Sequence, residues 1–464
     1  MPVAIHDRTV DRLCDTFSGD VIRPTDPGYH GARRVHNGLI DRRPALVLRP
    51  RDLADVVAAV RFARSADLLI AVRGGGHSVA GHGTCDDNLV IDLSHLRRVD
   101  VDPRCRRAWV QGGALLGDVD QATQEFGLAT PSGQVSATGI AGLTLSGGLG
   151  AMQRKWGLTC DNLTAAEVVT ASGEIVIASE SEHQELFWAL RGGGGNFGVV
   201  TAFEFRLHEV GPMVAGGMVG YPADRAVDVL AFLADFIATA PEELSADAIF
   251  QLAPPLDVVP EPLQGKNMLG IFLRYIGDPD RGLEVVRPVQ AFGEPILDFV
   301  GPLPYVSIQN MLDPLNPKGY LNYWTGEYVP ELGTEVAETL TRHGSELPAQ
   351  QTVVQVIPFN AAPTRVAPDA TAFSHREDSW LVHYLGQWTE PADTERCRSW
   401  VRSCGADLRE LGTGDVYLNL VTDDEDTDRV RAFWDERRFA RLARIKRHYD
   451  PENRFRFNHN IEPA

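Results

Sequence analysis

Nowhere in this 464-residue chain do 18 apolar residues run together, so the sequence offers no helix able to span a bilayer. The opening MPVAIHDRTVDRLCDTF lacks both a basic first segment and a long apolar core, and it predicts neither a signal peptide nor an anchor. Cysteine is sparse. Cys14, Cys85, Cys105, Cys160, Cys397 and Cys404 lie scattered without a paired framework, the pattern of reduced thiols in a cytoplasm. Positive charge is in the minority: 44 basic against 63 acidic residues give a net charge of −19. Such a surface repels phosphate backbones and anionic lipid, which argues against nucleic acid or membrane as a partner.

Several catalytic signatures are missing as well. The glycines of LSGGLG all follow its serine, so there is no G-x-S-x-G elbow and a serine hydrolase is disfavoured. No P-loop, internal repeat or low-complexity segment stands out. His77, His82 and Cys85 are grouped, but no second cluster completes a three- or four-ligand set, and no metal is expected.

What is present reads as an α+β chain long enough for two domains, with 44% hydrophobic residues to fill both cores. ALVLRP predicts a strand, DLADVVAAVRFARSADL a helix with Leu53, Val56, Val57 and Val60 at helical spacing, and LIAVRGG a second strand. NLVIDLS and AWVQGG read as further strands, and LLGDVDQATQEFG as a helix ending at Gly127. Ser172-Gly173 separates the two arms of a hairpin. After about residue 209 the glycine clusters stop, and prolines, a helical run over 223–238 and aromatic strands around Tyr275, Tyr384 and Trp388 take over. Near the end, DRVRAFWDERRFARLARIKRHYD predicts one amphipathic helix stopped by proline, in a segment placed to pack back on the first domain.

Glycine is the abundant residue, 44 in all. It gathers in three loops before residue 209: 74–76 ahead of His77, 138–150 and 192–198. Gly193, Gly195 and Gly198 satisfy G-x-G-x-x-G, yet a helix precedes them and a strand follows, the reverse of what a Rossmann loop needs. A diphosphate can still be held by backbone N–H groups where no Cβ blocks close approach. Three such loops without a P-loop suit a large dinucleotide such as FAD better than a nucleoside triphosphate, although composition alone leaves ordinary turn structure equally open.

Four blocks then carry a resemblance: RGGGHS (73–78), PSGQVSATGIAGLTLSGGLG (131–150), LFWALRGGGGNFGVVTAFEFRL (186–207) and IKRHYDPENRFRFNHNIEP (445–463). Their types and order resemble the berberine-bridge-enzyme-like FAD-linked oxidases, of the vanillyl-alcohol-oxidase type with a PCMH-type FAD domain. Within that family the chain looks most like the 6-hydroxy-D-nicotine oxidase branch. The resemblance implies a discontinuous FAD domain, residues 1–208 completed by 412–464, and a substrate domain over 209–411 built on an antiparallel sheet covered by helices. It also implies that His77 carries FAD covalently through the flavin 8α-methyl group. Many relatives make a second link from a cysteine whose matching position here is Val135, so a single bond through His77 is predicted. The motifs place Arg73, Gly74, Gly75, Gly76, Ser78, Gly133, Thr138, Gly139, Gly142, Gly147, Gly148, Gly150, Asn196, Gly198, Val199, Asn458 and Asn460 against the cofactor. Thr138 is small at a position where bulk in relatives crowds the approach of oxygen to the flavin.

The implied reaction is hydride transfer from a substrate carbon to the flavin, then to O₂ with release of hydrogen peroxide. An alcohol substrate needs a base for its O–H proton, and Tyr417, His383 and Tyr384 are the candidates that the family's strands supply. Strand alternation lets only one of His383 and Tyr384 reach a pocket. Tyr323 and Trp324 are an aromatic wall or core, and Gln355 is a candidate substrate contact. Val353 and Gln355 stand where the nicotine branch has acidic residues near its amine, so a cationic substrate would lose its counter-charge here. An oxidase of a neutral hydroxylated sugar or secondary metabolite leads. A 6-hydroxynicotine-type amine oxidase, a dehydrogenase with a non-oxygen acceptor and a flavin-carrying binding protein stay open, and nothing in the sequence bears on oligomeric state.

Overall fold

The computed structural model describes residues 7–255 and 259–464. Strand Leu46–Arg49, helix Leu53–Ser65 and strand Ile70–Arg73 form the expected β-α-β unit. Asp52 caps the helix by accepting the Asp55 backbone N–H, and Val56, Ala59, Val60 and Ala63 form its buried stripe. The two strands are not neighbours: Leu89–Asp92 runs between them, parallel to both, and Asp20–Ile22 adds an antiparallel edge. A second sheet is antiparallel, in the order Val99–Asp102, Arg107–Gln111, Val199–Arg206, Leu163–Val169, Ile175–Ser179. Its hairpin turns where expected, with Gly173 at φ +78°. Helix Leu116–Gln124 ends just before Gly127, whose φ is +65°.

The segment that begins at Met213 builds an eight-stranded sheet whose pairings are all antiparallel. Its central run is Asn267–Tyr275, Leu244–Leu252, Val353–Phe359, Ser379–Trp388 and Leu321–Val329. One face packs under helices Ala226–Thr239, Pro279–Ala291, Thr334–Ser345 and Thr394–Arg409, with Val229, Leu233, Val286, Leu340 and Val401 among the buried contacts. The opposite face looks toward the glycine loops. Alternation therefore decides, residue by residue, which side chains can reach a ligand.

One expected element divides. The C-terminal helix is two, Thr427–Ala432 and Glu436–Tyr449, broken at Trp434 and Asp435. Trp434 is buried with its indole Nε1 donating to Gly192 O at 3.0 Å, and Asp435 caps the second helix by accepting the Arg438 N–H. A tertiary anchor beneath the 192–195 loop outweighs continuous helix, which periodicity alone does not register. The tail then returns to the first sheets. Lys446 Nζ, fully buried, donates to Asn196 O, Asp450 and Phe455 O at 2.7–2.9 Å, and Arg454 Nη1 donates to Leu68 O at 3.2 Å. Among the described residues no helix is long and apolar enough to cross a membrane.

Candidate active site

Between the open face of the large sheet and the three glycine loops lies a cavity of about 1810 Å³, its mouth included. Loop 73–78, the 133–149 segment, Gly194, Gly195 and Gly198, and the tail residues Phe455 to His459 form one side. Trp324, Gln355, Leu381, His383 and Leu385 of the sheet form the other.

His77 sits at the junction. Gly76 enters it with φ +68°, and the histidine ring stacks on His36 at 3.8 Å between centroids with 22° between planes. Burial pushes the His77 imidazole down to about 3, with the nearby His36 adding to the fall, and its Nε2 has no hydrogen-bond partner. His77 is thus a neutral imidazole facing the cavity with an unpartnered nitrogen. It forms no metal set with its neighbours: His82 packs edge-on against His459 and the Cys85 thiol reaches Leu89 O at 3.6 Å.

The sheet wall sorts the remaining candidates. Trp324 and His383 meet edge-to-face at 5.3 Å, and His383 and Gln355 are cross-strand partners. Burial drives the His383 imidazole down to about 3 and leaves its Nε2 without a partner. Tyr384 faces the other way and is no catalytic group here: it lies under the helices, hydrogen-bonded to His343 Nδ1 at 2.8 Å. Tyr323 is likewise displaced. Its ring lies on the helix side, its hydroxyl between Asp424 at 3.2 Å and Arg402 Nε at 3.1 Å, away from the large cavity. Both corrections follow from strand parity, with odd residues of 379–388 and even residues of 321–329 facing the cavity.

Tyr417 does line the cavity. Its oxygen accepts the Gly148 N–H at 2.9 Å and an Asn419 Nδ2 hydrogen at 3.0 Å, while burial holds its phenol well above the usual range. Both lone pairs are engaged, so the hydroxyl can only donate to a third partner.

The glycines divide by job. Arg73, Gly74, Gly75, Gly76, Ser78, Gly133, Thr138, Gly139, Gly142 and Gly198 line the cavity, as does Asn458. Gly147, Gly148, Gly150, Asn196, Val199 and Asn460 do not. A Cβ on Gly147 would strike Phe373 at 2.8 Å, on Gly148 Thr159 at 2.2 Å, and on Gly150 the Ser132 carbonyl at 2.0 Å, so these three glycines serve packing. Gly75 and Gly139 lie where two loops cross, with a Cβ on Gly75 only 2.3 Å from Gly139 N. At Gly142 and Gly195 a Cβ would meet nothing within 4 Å and would project into open space. Asn196 is a staple between loop and tail, its Nδ2 donating to Gly193 O and His459 O and its Oδ1 accepting the Ile461 N–H. Val199 belongs to the core behind the first sheet, and Asn460 is exposed.

Sequence reasoning missed four residues of consequence. His36 is one. The others lie beside Gln355, whose Nε2 donates to Gln134 Oε1 at 2.6 Å and to Asp247 Oδ2 at 3.0 Å. Gln134 Nε2 also donates to Asp247, and the fully buried Arg274 pairs with that same carboxylate. Asp247 and Arg274 sit in ordinary-looking strands well beyond the last glycine loop at 192–198, and no spacing signal connects them to Gln355.

Known proteins share this sequence pattern and fold. Residues 44–179 match the FAD binding domain family and residues 416–462 match the berberine and berberine-like family. An FAD-linked oxidoreductase of Dictyostelium discoideum is 30% identical over 457 residues, which is 98% of this chain and 97% of the relative. The chain belongs to the berberine-bridge-enzyme-like FAD-linked oxidoreductases. The crystal structure of 6-hydroxy-D-nicotine oxidase from Arthrobacter nicotinovorans superposes with TM-score 0.87 and 28% identity, covering 97% of this chain and 99% of that one. Glucooligosaccharide oxidase from Acremonium strictum, described with a 6-S-cysteinyl, 8α-N1-histidyl FAD, gives TM-score 0.84 and 26% identity over 98% and 99%. This oxidoreductase therefore has the two-domain α+β fold of vanillyl-alcohol-oxidase-type flavoproteins, and it is an FAD-linked enzyme acting on CH–OH or CH–NH groups.

Proposed function

We propose that the enzyme oxidises a neutral hydroxylated small molecule, such as a sugar or secondary metabolite. FAD, held covalently through His77 alone, would supply the acceptor for hydride from a substrate carbon, and dioxygen would take up the electrons with hydrogen peroxide as product. One observation carries the substrate class: Asp247, the carboxylate that holds the wall's Gln134 and Gln355, is already paired with Arg274, and the wall itself presents those two amides. A cationic amine would be desolvated there without a free counter-charge, whereas a hydroxyl finds hydrogen-bonding groups.

FAD fits these residues on two counts. Gly142 and Gly195 leave open the space a Cβ would fill, and His77, lining the cavity, offers an unpartnered ring nitrogen. Val135 lines the same cavity and has no thiol to give a second bond. Bound FAD supplies the two-electron acceptor. His383, neutral and with Nε2 free, takes the substrate hydroxyl proton, and Tyr417 donates a hydrogen bond that orients the substrate oxygen. Thr138, a small residue lining the cavity, would leave room for oxygen to approach the bound cofactor. Residues 1–208 with 412–464 form the flavin unit and 209–411 the substrate unit. The six cysteines are free, which suits a reducing cytoplasm, and the acidic surface suits a partner list of small substrate and O₂, without nucleic acid or membrane.

The test is a peroxide assay over a panel of sugars, alcohols and cyclic amines, with anaerobic flavin bleaching followed in parallel. Turnover confined to amines would overturn the substrate class. Bleaching without reoxidation by air would replace the oxidase with a dehydrogenase using another acceptor.

A further inference from the structure

We propose that His36 is a positioning residue for covalent attachment of the cofactor: its ring sets the plane of the His77 imidazole. The inference rests on the His77 tether proposed above. His36 and His77 stack at 3.8 Å with 22° between planes, the closest approach of any aromatic ring to His77 among the described residues, Trp324 being at 6.2 Å.

The stack is built in by the backbone. His36 N donates to Gly76 O at 2.9 Å, and Gly319 N donates to His36 O at 2.9 Å. On either side, Arg73 donates to Ala32 O and Arg34 O at 2.6 and 3.1 Å, and Asn37 Nδ2 donates to Val79 O at 2.8 Å. Segment 32–37 and loop 73–79 are thus tied together, with the two rings between them. The His36 Nε2 is buried and has no partner of its own, so backbone and stacking, not a side-chain hydrogen bond at that atom, hold the ring.

This geometry matters for bond formation because only an unprotonated imidazole nitrogen is a nucleophile. A proton on either ring would set a cation against a buried neighbour in an apolar pocket, which burial opposes for both. Attachment replaces one C–H of the flavin 8α-methyl group and the N–H of His77 by a C–N bond. The two hydrogens with their electrons pass to dioxygen as hydrogen peroxide. His36 takes no atom in this exchange; by covering one ring face it fixes the plane in which the nitrogen lone pair of His77 would meet the methyl carbon.

The experiment follows covalent flavin directly, without any substrate. Wild type, His36→Ala and His36→Phe are purified, total FAD is read by absorbance, and the fraction surviving acid precipitation is read by in-gel fluorescence and peptide mass. We expect His36→Ala to bind FAD and melt as a folded protein but to attach it about tenfold or more slowly, and His36→Phe, which keeps the stack, to attach it near the wild-type rate. Unchanged attachment in His36→Ala overturns the proposal, and so does His36→Phe as defective as alanine. If the wild type itself releases all its flavin in acid, the tether fails and this inference falls with it.

Discussion

Gln355 and His383 stand directly opposite one another on neighbouring antiparallel strands, with Gly326 across from His383 on its other side. The pairing puts a fixed amide and a neutral imidazole side by side on one wall, and Leu420 packs over the glycine, where a Cβ would come within 3.0 Å of it. Asp247 fixes the amide: as an acceptor-only group it draws the Nε2 of both Gln134 and Gln355 toward itself.

Loss of Asp247 alone should be costly. Asp247→Asn leaves Arg274 charged in a site where its side chain is 2% exposed, and about 3–5 kcal/mol of stability should go. The apolar pair Asp247→Leu with Arg274→Met should lose clearly less than the sum of the single changes. Denaturant midpoints of the four proteins measure it, and simple additivity would show that the pair is not coupled.

Removing the tether separates binding from attachment. His77→Ala should leave FAD extractable by acid or absent from the purified protein, and mass analysis of the wild-type digest should find flavin on the peptide containing His77. A flavin-bearing peptide that contains Cys85 or Cys160 but lacks His77 would contradict the assignment.

The two cavity-facing polar side chains should differ in kind. His383→Ala should lower kcat about 10²- to 10⁴-fold, the usual worth of a placed base. Tyr417→Phe removes the acceptor of the Gly148 N–H, which should cost about 1–3 kcal/mol of stability as well as activity. Steady-state kinetics beside thermal melts distinguishes the roles; a larger kcat loss in Tyr417→Phe would exchange them.

Stability should weaken in acid for an identifiable reason. His383 and His36 are held down to about 3 and about 4 in the fold against 6.5 in the open chain. The unfolded state therefore binds more protons across that interval, so stability is full above pH 6.5 and drains as pH falls toward 3. Replacing His383 with glutamine should flatten the fall between pH 7 and 5, and an unaltered slope would refute the assignment.

Asp120 should act in the opposite sense. It is buried in helix Leu116–Gln124 with Gln309 Nε2 at 3.4 Å as its hydrogen-bond partner, and burial pushes its carboxyl up from 3.8 to about 7. Here the folded state holds the extra proton, so the group costs stability as pH rises through that window. Asp120→Asn should raise stability at pH 8 by more than about 1 kcal/mol relative to its effect at pH 5.

Much of this was legible in local pattern. Apolar spacing marked helix Leu53–Ser65, Ser172-Gly173 marked the hairpin, and RGGGHS singled out His77, because each signal lies within a few consecutive residues. What tertiary structure alone decided was partnership across the chain. Parity on the large sheet turned His383 into the cavity and Tyr384 under the helices. The crossing of Gly75 with Gly139 assigned those glycines to loop packing, and His36 met His77 from 41 positions away. Asp247 and Arg274 reached Gln355 through strand order. Contacts between distant segments leave no periodicity in the sequence; they arise only when the core packs and the register of each strand is set.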